Sequence, residues 1–486
     1  MSRIVSYLST VPCHGQPSKE IEMSVSMRVM SVVVGIIVVG STHAAQAGDR
    51  VRWRFEIPSN FSGKFIGVGA DGRVYTTNFA GDLYALRPNG SLVWSLDLGV
   101  AASHWPITFA DDGTIYTGAA REVVAVNPDG TPRWAFDSGA WLISGPTVGP
   151  DGNIYAADDG IVVGGRGFFA LDADGNPLWS DPGDPPITGL YEGLDEIVFG
   201  QDRFFAGIHF MRSGPWINTY AFDLDGHQLW NRYNVGLEGG PSSNPRMLPD
   251  GRLVFRWGQG SLAALHQDGT DDWVVPHPDG AQVLVTPAVG PDGSIYGGDE
   301  YGVQLWSANP DGTTRWVLGS TSTDHLHADS LGVSPDNEVL IAGGWSWTGA
   351  MNVGWIRGYH PADGTLLWQI DLEPEQDLPQ FVRTVHPAFS RNGDTAYVTT
   401  WFAGDGVGHS YLYAIALREG AAVPGDFDGD GDVDLSDFTV FQLCFGGSNN
   451  PPAPTCPPGA DADLDSDGDV DLADFLIFQQ NFTGSL

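Results

Sequence analysis

The sequence is poor in basic residues. It has 23 Lys and Arg against 60 Asp and Glu, which gives a formal net charge of −37. A field of this sign repels phosphate backbones, so no nucleic acid is expected as a partner, and cations or neutral ligands fit better. Gly (65) and Trp (17) are abundant instead. With few long helical patterns, this composition indicates many short strands joined by tight turns.

Long apolar runs are also scarce. Arg28 precedes the apolar residues 29–40, VMSVVVGIIVVG, a stretch shorter than the ~20 residues that a spanning helix needs. The sequence AQA at 45–47 is typical of a cleavage site, so residues 1–47 are interpreted as a signal peptide. We expect cleavage near Ala47, a secreted or extracytoplasmic protein, and no membrane span in the mature chain. An uncleaved anchor is the alternative, and Met23 or Met27 is an alternative translation start.

Cysteine is nearly absent. Of the three cysteines, Cys13 lies in the leader, which leaves Cys444 and Cys456. In a chain exported to an oxidising compartment these two are predicted to form a disulfide. Such a bond closes a loop of about a dozen residues and contributes roughly 3 kcal/mol.

A repeated phrase fills residues 48–420. It is a Gly turn, an apolar strand often ending in Tyr, a second apolar strand, a DG-type turn and then Trp, with successive tryptophans 40 to 52 residues apart. This period, with strand and turn signals alone, predicts an all-β propeller. The eighth unit lacks its Trp, and VRWRFEI at 51–57 supplies it. We therefore predict eight blades, with an N-terminal strand that closes the last blade. The repeated tryptophans are Trp53, Trp94, Trp134, Trp179, Trp230, Trp273, Trp316 and Trp368.

These tryptophans are predicted to be structural wedges between blades, each with its N–H hydrogen-bonded. The repeats resemble the pyrroloquinoline-quinone-like repeats of eight-bladed propellers over nearly all of residues 50–417. That family includes quinoprotein dehydrogenases and non-catalytic propellers that bind proteins. The enzymes carry a vicinal disulfide beside the cofactor, and residues 48–420 contain no Cys and no CxxCH haem motif. The quinone is therefore not expected here as a cofactor.

Polar side chains precede several of the repeated strand phrases, in segments that would line the central channel. They are His104, Glu192, Asn244, Arg246, His325, His327, Asp329, Arg383 and His386. One interpretation is a ligand pocket, or a metal site that uses His327, Asp329 and His386. The other is that these are scattered loop groups that hydrogen-bond strand ends, since nothing in the sequence fixes their distances. A second open alternative concerns five tryptophans outside the repeat, which either stack on sugar rings or pack insertions onto the ring: Trp216, Trp345, Trp347, Trp355 and Trp401.

The C-terminal residues 421–486 contain thirteen Asp and no basic residue. Two segments, DFDGDGDVDLSDF from 426 and DLDSDGDVDLADF from 463, repeat the pattern of an EF-hand loop, with alternating oxygen ligands and Gly at position 6. The sequence therefore predicts two calcium ions. Their predicted ligands, including backbone carbonyls at position 7, are Asp426, Asp428, Asp430, Asp432, Asp434 and Asp437, then Asp463, Asp465, Asp467, Asp469, Asp471 and Asp474.

A short helix with an apolar stripe is predicted after each loop. The stripes are Phe438, Phe441 and Phe445, then Phe475, Phe478 and Phe482. A calcium loop followed by one helix, duplicated 37 residues later, resembles the type I dockerin domain over residues 424–482. The resemblance implies docking to a cohesin domain on another protein, in assemblies that degrade polysaccharides. The pair that reads the partner, at loop positions 10 and 11, is usually Ser-Thr in that family but is Leu435-Ser436 and Leu472-Ala473 here.

The function predicted from the sequence is non-catalytic binding or assembly. The domain at 421–486 would dock the propeller to a cohesin-like protein or cell-surface scaffold, and the propeller would present a surface to a polysaccharide or a protein. The alternative is a propeller enzyme with its chemistry in the channel, acting on polysaccharide by hydrolysis or elimination, or by quinone-dependent oxidation. A channel mouth filled with apolar side chains would favour binding, and a cluster of carboxylate, His and Arg groups would favour an enzyme.

Overall fold

The computed structural model describes residues 50–58, 62–99, 105–158, 167–181, 197–210, 216–232, 245–257, 261–276, 286–298, 305–319, 324–326, 331–347, 352–372, 380–382, 387–402, 410–418, 425–427, 433–457, 460, 462–465 and 468–482. The predicted signal peptide lies outside these ranges. None of the helices within them is both long enough and apolar enough to cross a membrane.

The chain builds an eight-bladed propeller of antiparallel sheets. The first strand, β1 (Val51–Ile57), precedes blade 1. The strands of blades 1 to 4 are, in order, β2 (Ser62–Val68), β3 (Val74–Asn78), β4 (Asp82–Leu86), β5 (Leu92–Asp97); β6 (Thr108–Phe109), β7 (Ile115–Ala119), β8 (Glu122–Val126), β9 (Pro132–Asp137); β10 (Leu142–Val148), β11 (Ile154–Asp158), β12 (Phe168–Leu171), β13 (Pro177–Asp181); β14 (Ile197–Phe199), β15 (Arg203–Phe210), β16 (Trp216–Asp223) and β17 (Gln228–Arg232).

Blades 5 and 6 repeat the four-stranded pattern, and blades 7 and 8 each include an additional short strand. Their strands are β18 (Arg246–Met247), β19 (Leu253–Trp257), β20 (Ser261–Leu265), β21 (Asp271–Pro276); β22 (Ala288–Val289), β23 (Ile295–Gly298), β24 (Leu305–Ala308), β25 (Thr314–Leu318); β26 (Asp324–Leu326), β27 (Gly332–Val333), β28 (Leu340–Trp347), β29 (Asn352–Tyr359), β30 (Leu366–Asp371); β31 (Gln380–Val382), β32 (Ala388–Phe389), β33 (Thr395–Phe402) and β34 (Ser410–Ala416). Two helices follow, α1 (Leu435–Cys444) and α2 (Leu472–Asn481).

The ring closes through β1, which pairs antiparallel with β34 as the outer strand of blade 8. Trp53 lies opposite Ala414 and Phe55 opposite Leu412. Blade 8 is therefore built from both ends of the propeller sequence, as the missing eighth Trp predicts. This pairing covers the edge of β34, which would otherwise expose unpaired backbone groups.

Successive side chains of a strand point to opposite faces of its blade, so they pack alternately against the preceding and the following blade. In β8, Val124 and Val126 pack against blade 1, whereas Val123 and Ala125 pack against blade 3. The same division gives one buried apolar cluster at each of the eight boundaries between blades. Because both faces of a blade are covered, middle strands such as β3 and β7 are buried along their whole length. Burial of these faces is the main stabilising contribution to the ring.

Seven of the eight repeat tryptophans contact the next blade in one way. Trp94 Nε1 donates a hydrogen bond to the carbonyl of Pro128 at 3.0 Å, and its ring lies on Gly130 in the same turn. Gly130 has φ +88°, and a Cβ there would come within 2.6 Å of Trp94 Cδ2. Only glycine both adopts this positive φ readily and leaves room for the indole ring. The other tryptophans and their carbonyl acceptors are Trp53 and Pro88, Trp134 and Ala173, Trp179 and Leu224, Trp230 and Gln267, Trp273 and Pro310, and Trp316 and Pro361.

Trp368 departs from this arrangement. It is buried, but its Nε1 has no hydrogen-bond partner within the described part of the chain. The physical reason is the ring closure: the turn that would accept this bond does not exist, because the outer strand of blade 8 is β1. Arg50 occupies that place, with its guanidinium 5.4 Å from the centre of the Trp368 ring. Arg50 Nη1 also donates to the carbonyls of Ala416 and Leu417 at 3.4 and 3.3 Å.

Alkaline pH is expected to unfold the ring through its buried tyrosines. Burial raises the pKa of Tyr75 to about 12, with a further contribution from Asp71. Burial and the charge of Asp82 likewise raise the pKa of Tyr84 to about 12. The unfolded chain ionises near pH 10, so the stability from these neutral phenols is complete below pH 10 and is lost between about pH 10 and 12.

Tyrosinate absorbance near 295 nm, recorded with circular dichroism, measures this transition. We expect these tyrosines to ionise together with unfolding above pH 10, whereas the urea-unfolded chain titrates around pH 10. Complete ionisation below pH 11 in a ring that is still folded would contradict the assignment.

Candidate functional site

The first strands of neighbouring blades meet around the channel. Contacts join β2 to β32, β6 to β10, and β14, β18, β22 and β27 in succession. A cavity of about 680 Å³ opens among blades 5 to 8, a volume typical of small-molecule sites. Among the described residues its lining includes one charged side chain, and it consists of Arg246, Met247, Leu248, Pro249, Ala288, Val289, Gly290, Pro291, Leu331, Gly332, Val333, Pro387 and Phe389. The described part of this lining is mostly apolar.

The polar residues predicted for the channel have different outcomes. Arg246 lies in β18 and lines the cavity, and its role in a ligand site stays a prediction. His325 does not line it: it lies in β26 and stacks on Trp345. The other predicted residues lie outside the described residues, so the proposed site of His327, Asp329 and His386 stays a prediction. These residues are His104, Glu192, Asn244, His327, Asp329, Arg383 and His386.

The tryptophans outside the repeat differ in burial. Trp355 is only 1% exposed and packs in the boundary between blades 6 and 7, with the Arg357 guanidinium 4.0 Å from its ring centre. Trp347 is 49% exposed. For Trp216 and Trp401 the backbone is described, in β16 and β33, but the side chains are not. Trp141, which no repeat or motif marks, is 63% exposed.

The two C-terminal loops end in matching helix caps. Asp434 and Asp471, at loop position 9, are the N-caps of α1 and α2, with φ −133° and −135°. Each accepts a hydrogen bond from the backbone N–H two residues later, Ser436 and Ala473. The N-terminus of each helix also has a capping box, because the carboxylate three residues after the N-cap accepts the backbone N–H of the N-cap residue. The helix start is therefore encoded by the same residues as the loop.

The carboxylates at loop position 12 organise each loop from inside. Asp437 is fully buried; its two oxygens accept the N–H groups of Phe427 (2.6 Å) and Asp434 (2.9 Å). Asp474 is also fully buried and accepts the N–H groups of Leu464 and Asp471 at 2.6 and 2.8 Å. The two loops thus share one hydrogen-bond plan. Sequence patterning marks these residues as ligands but does not show that they also tie the loop together.

Carboxylate oxygens converge in the second loop. One oxygen each from Asp463, Asp465 and Asp474 lie within 4.8 Å of one another, as do oxygens of Asp469, Asp471 and Asp474. Ligand oxygens stand 2.3–2.6 Å from a calcium ion, so a shell is about 5 Å across and these groups match it. Burial raises the pKa of the Asp474 carboxyl, and the nearby charge of Asp463 raises it further. The backbone N–H groups that donate to Asp474 lower this pKa, but the net shift is upward. A cation would relieve this repulsion.

Two further contacts shape the second loop. Gly468, at position 6, has φ +97° and donates its N–H to Asp463 Oδ2 at 2.9 Å. Asp469, at position 7, accepts the backbone N–H of Asn449. In the first loop Asp428, Asp430 and Asp432 lie outside the described residues, as does Asp467 in the second.

The helices pack through the predicted phenylalanines. Phe441 and Phe478 are buried with ring centres 5.3 Å apart, and Phe438 and Phe475 are partly buried beside them. The last residue of each stripe, Phe445 and Phe482, caps its helix and is largely exposed. The predicted disulfide between Cys444 and Cys456 is confirmed and joins the end of α1 to the proline-rich segment before the second loop.

The family described as outer membrane protein assembly factor BamB matches residues 80–209, from blade 1 into blade 4. No curated protein matches the chain. The Dos1 propeller is similar with TM-score 0.55 and 11% identity, over 77% of this chain and 96% of that one. The C-terminal WD40 domain of Sif2 has TM-score 0.54 and 13% identity, over 76% and 99%.

Quinohemoprotein alcohol dehydrogenase ADHIIG from Pseudomonas putida HK5 is similar with TM-score 0.50 and 13% identity, over 77% of both chains. At such identities these similarities support the propeller fold alone. The family match over residues 80–209 and the repeats along the ring agree with the observed eight-bladed propeller.

Proposed function

We propose that this chain is a secreted, non-catalytic binding and assembly protein. Its C-terminal module, residues 421–486, docks in the presence of calcium to a cohesin-type partner, and its propeller presents a ligand surface in polysaccharide breakdown. The observation that carries the proposal is the duplicated loop and helix. Both copies have the same cap and the same buried position-12 carboxylate, and both helices begin on an exposed leucine.

Calcium is the cation that these residues fit. The donor atoms are hard carboxylate oxygens, and the groups in the second loop match the diameter of one calcium shell. Asp463, Asp465, Asp471 and Asp474 would hold the ion in the second loop. Asp426, Asp434 and Asp437 occupy the same register in the first. The bound ion would neutralise the crowded carboxylates and fix the loop ahead of each helix.

The docking surface would include the first residue of each helix. Leu435 is 70% exposed and Leu472 is 67% exposed, although leucine gains by burial. They stand at loop position 10, which the resemblance to dockerins implies is read by the partner. Two exposed leucines at one register, in a module of high negative charge, favour a partner that offers an apolar surface there.

The propeller supports binding more than catalysis. Among the described residues that line the cavity of blades 5 to 8, Arg246 is the one charged side chain and the others are largely apolar. Within the described residues, both clusters able to hold a metal lie in the C-terminal module. No observation on the described residues favours the alternative of a polysaccharide-cleaving or quinone-dependent enzyme.

A calcium-dependent pull-down with the mature full-length chain tests the proposal. We expect the secretome of the parent organism to yield a protein with a cohesin-type domain in calcium, and to lose it in EGTA. The double variant Leu435→Asp and Leu472→Asp should weaken capture by at least about tenfold, because it places charge in an apolar contact.

Leu443→Asp is the matched control. Leu443 is exposed on α1, but it lies away from loop position 10. Capture that does not depend on calcium, or that survives the double variant, would reject this docking mode. Capture in calcium of proteins without a cohesin-type domain would reject the cohesin partner.

A further inference from the structure

Blade 7 is larger than ring closure requires. Its middle strands β28 and β29 have eight residues each, whereas β7 and β8 in blade 2 have five. An additional strand, β26, pairs with the extension of β28. Blade 8 has a matching additional strand, β31, which contacts β28 and β29. Within the described residues, blades 1 to 6 show no additional strand of this kind, so ring closure does not account for the extension.

An aromatic surface lies on this extension, and we define it by His325, Trp345 and Trp347. His325 is paired with Trp345 across the two strands, and their rings stack with centres 3.8 Å apart and planes 11° apart. Trp347 follows two residues later on the same face, about 7 Å further along the strand. Trp345 lies opposite Gly354 on the neighbouring strand.

The opposite face of the extension is used for packing. Trp355 lies opposite Gly344, at the position where a Cβ would come within 2.3 Å of the indole, and it is buried toward blade 6. Arg357 stacks on Trp355 on that same face. One face of these strands is packed toward blade 6, and the other is directed toward blade 8 and bears Trp347, which is 49% exposed. Packing explains Trp355 but not the exposure of Trp347.

From this arrangement we infer that the His325, Trp345 and Trp347 surface binds a neutral saccharide by stacking. The flat, electron-rich faces of indole rings attract the slightly positive C–H groups of a pyranose ring. None of the three residues that define the surface carries a permanent charge, and the net charge of −37 repels anionic polymers. A rigid stacked pair also loses little side-chain entropy on binding. The inference deepens the proposed function, since it names the ligand class of the propeller, but it does not depend on the docking partner.

Isothermal titration calorimetry of the mature full-length chain in calcium tests the inference. The probes are cellohexaose, xylohexaose and mannohexaose, with an oligogalacturonate of equal length as the anionic comparison. At least one neutral hexasaccharide should bind with Kd below about 1 mM, and Trp347→Ala should weaken that binding about tenfold. The oligogalacturonate should bind at least about tenfold more weakly.

Trp141→Ala is the matched control, because Trp141 is also an exposed propeller tryptophan, at 63%. It should leave the affinity unchanged, and Trp347→Phe should retain most of it. If Trp347→Ala lowers the melting temperature, Trp347→Phe and His325→Ala test the inference in its place. His325→Ala removes only the ring that stacks on Trp345. Absence of binding to all three neutral probes, or equal binding by Trp347→Ala, would overturn the inference. Calcium-dependent docking of the same samples reports separately on the proposed function.

Discussion

Removal of calcium is expected to unfold the C-terminal module while the propeller stays folded. In the described part of the module, one small apolar cluster surrounds Phe441 and Phe478. Its second loop gathers carboxylate oxygens within 4.8 Å of one another, and this repulsion opposes folding without a cation. Binding of the ion is therefore part of the folding free energy, as in other small metal-dependent domains. Each tenfold rise in free calcium above Kd should add about 1.4 kcal/mol per bound ion.

Differential scanning calorimetry of the mature chain measures this effect. In calcium we expect two transitions, one for the ring and one for the module. EGTA should abolish the module transition and leave the ring transition within about 2 °C, because the ring holds its own clusters at every blade boundary. Restored calcium should return the lost transition.

Asp463→Asn and Asp174→Asn form a matched pair for this experiment. Both remove one negative charge, but Asp463 belongs to the converging carboxylates whereas Asp174 lies on the exposed surface of the ring. Only Asp463→Asn should lower the calcium sensitivity of the module. A scan that shows no calcium-dependent transition would show that the loops fold without the ion.

Much of the ring could be predicted from the sequence because one repeated sequence pattern specifies both the tight turn and the tryptophan contact made on it. A DG turn needs glycine for positive φ, and the same glycine lets the indole of the preceding blade lie on it, as Gly130 does under Trp94. Repetition of turn, strand and Trp thus specifies the boundary between blades as well as the blade. Trp368 is the exception for the same reason. Blade 8 lacks the turn on which this indole would lie, and Arg50, from the N-terminal end of the propeller sequence, lies over the Trp368 ring in place of that turn.

The extension of blade 7 could not be predicted in this way. Trp345, Trp347 and Trp355 look alike in sequence, and their different burial follows from strand register. Trp355 is opposite Gly344 and faces the core, whereas Trp345 and Trp347 share the other face. A shift of one residue would exchange these faces. The register of β28 against β29 runs unbroken from the repeat into the extension, where β26, which belongs to no repeat, pairs with β28.

The C-terminal loops show the opposite case, in which a local pattern specifies most of the structure. The spacing of Asp434 and Asp437 predicts ligands at positions 9 and 12, and the same spacing is a capping box. The helix therefore begins where the loop ends, in both copies. The pattern does not show that Asp437 is fully buried under two backbone donors, because that depends on how the loop folds over it.

Deletion of residues 48–58 is expected to prevent stable folding of the whole ring. The deletion removes β1, which leaves the edge of β34 unpaired. It also removes Ile57, which is fully buried, and Trp53, which donates to the carbonyl of Pro88 in blade 1 at 2.6 Å. Loss of two such side chains costs roughly 5 kcal/mol or more, which is comparable with the total stability of many domains. Circular dichroism and calorimetry would show a greatly lowered or absent ring transition.

Two single substitutions distinguish loss of the ring closure from the general effect of removing eleven residues. Arg50→Ala keeps β1 but removes the guanidinium over Trp368 and its bonds to Ala416 and Leu417, at an expected cost of about 1–3 kcal/mol. Arg87→Ala, in an exposed turn, is the matched control and should cost little. A synthetic peptide of residues 48–58 added to the deleted chain should restore the ring transition, because the edge of β34 and the pocket for Ile57 both accept it. An unchanged melting temperature after the deletion would mean that the ring is held together without β1.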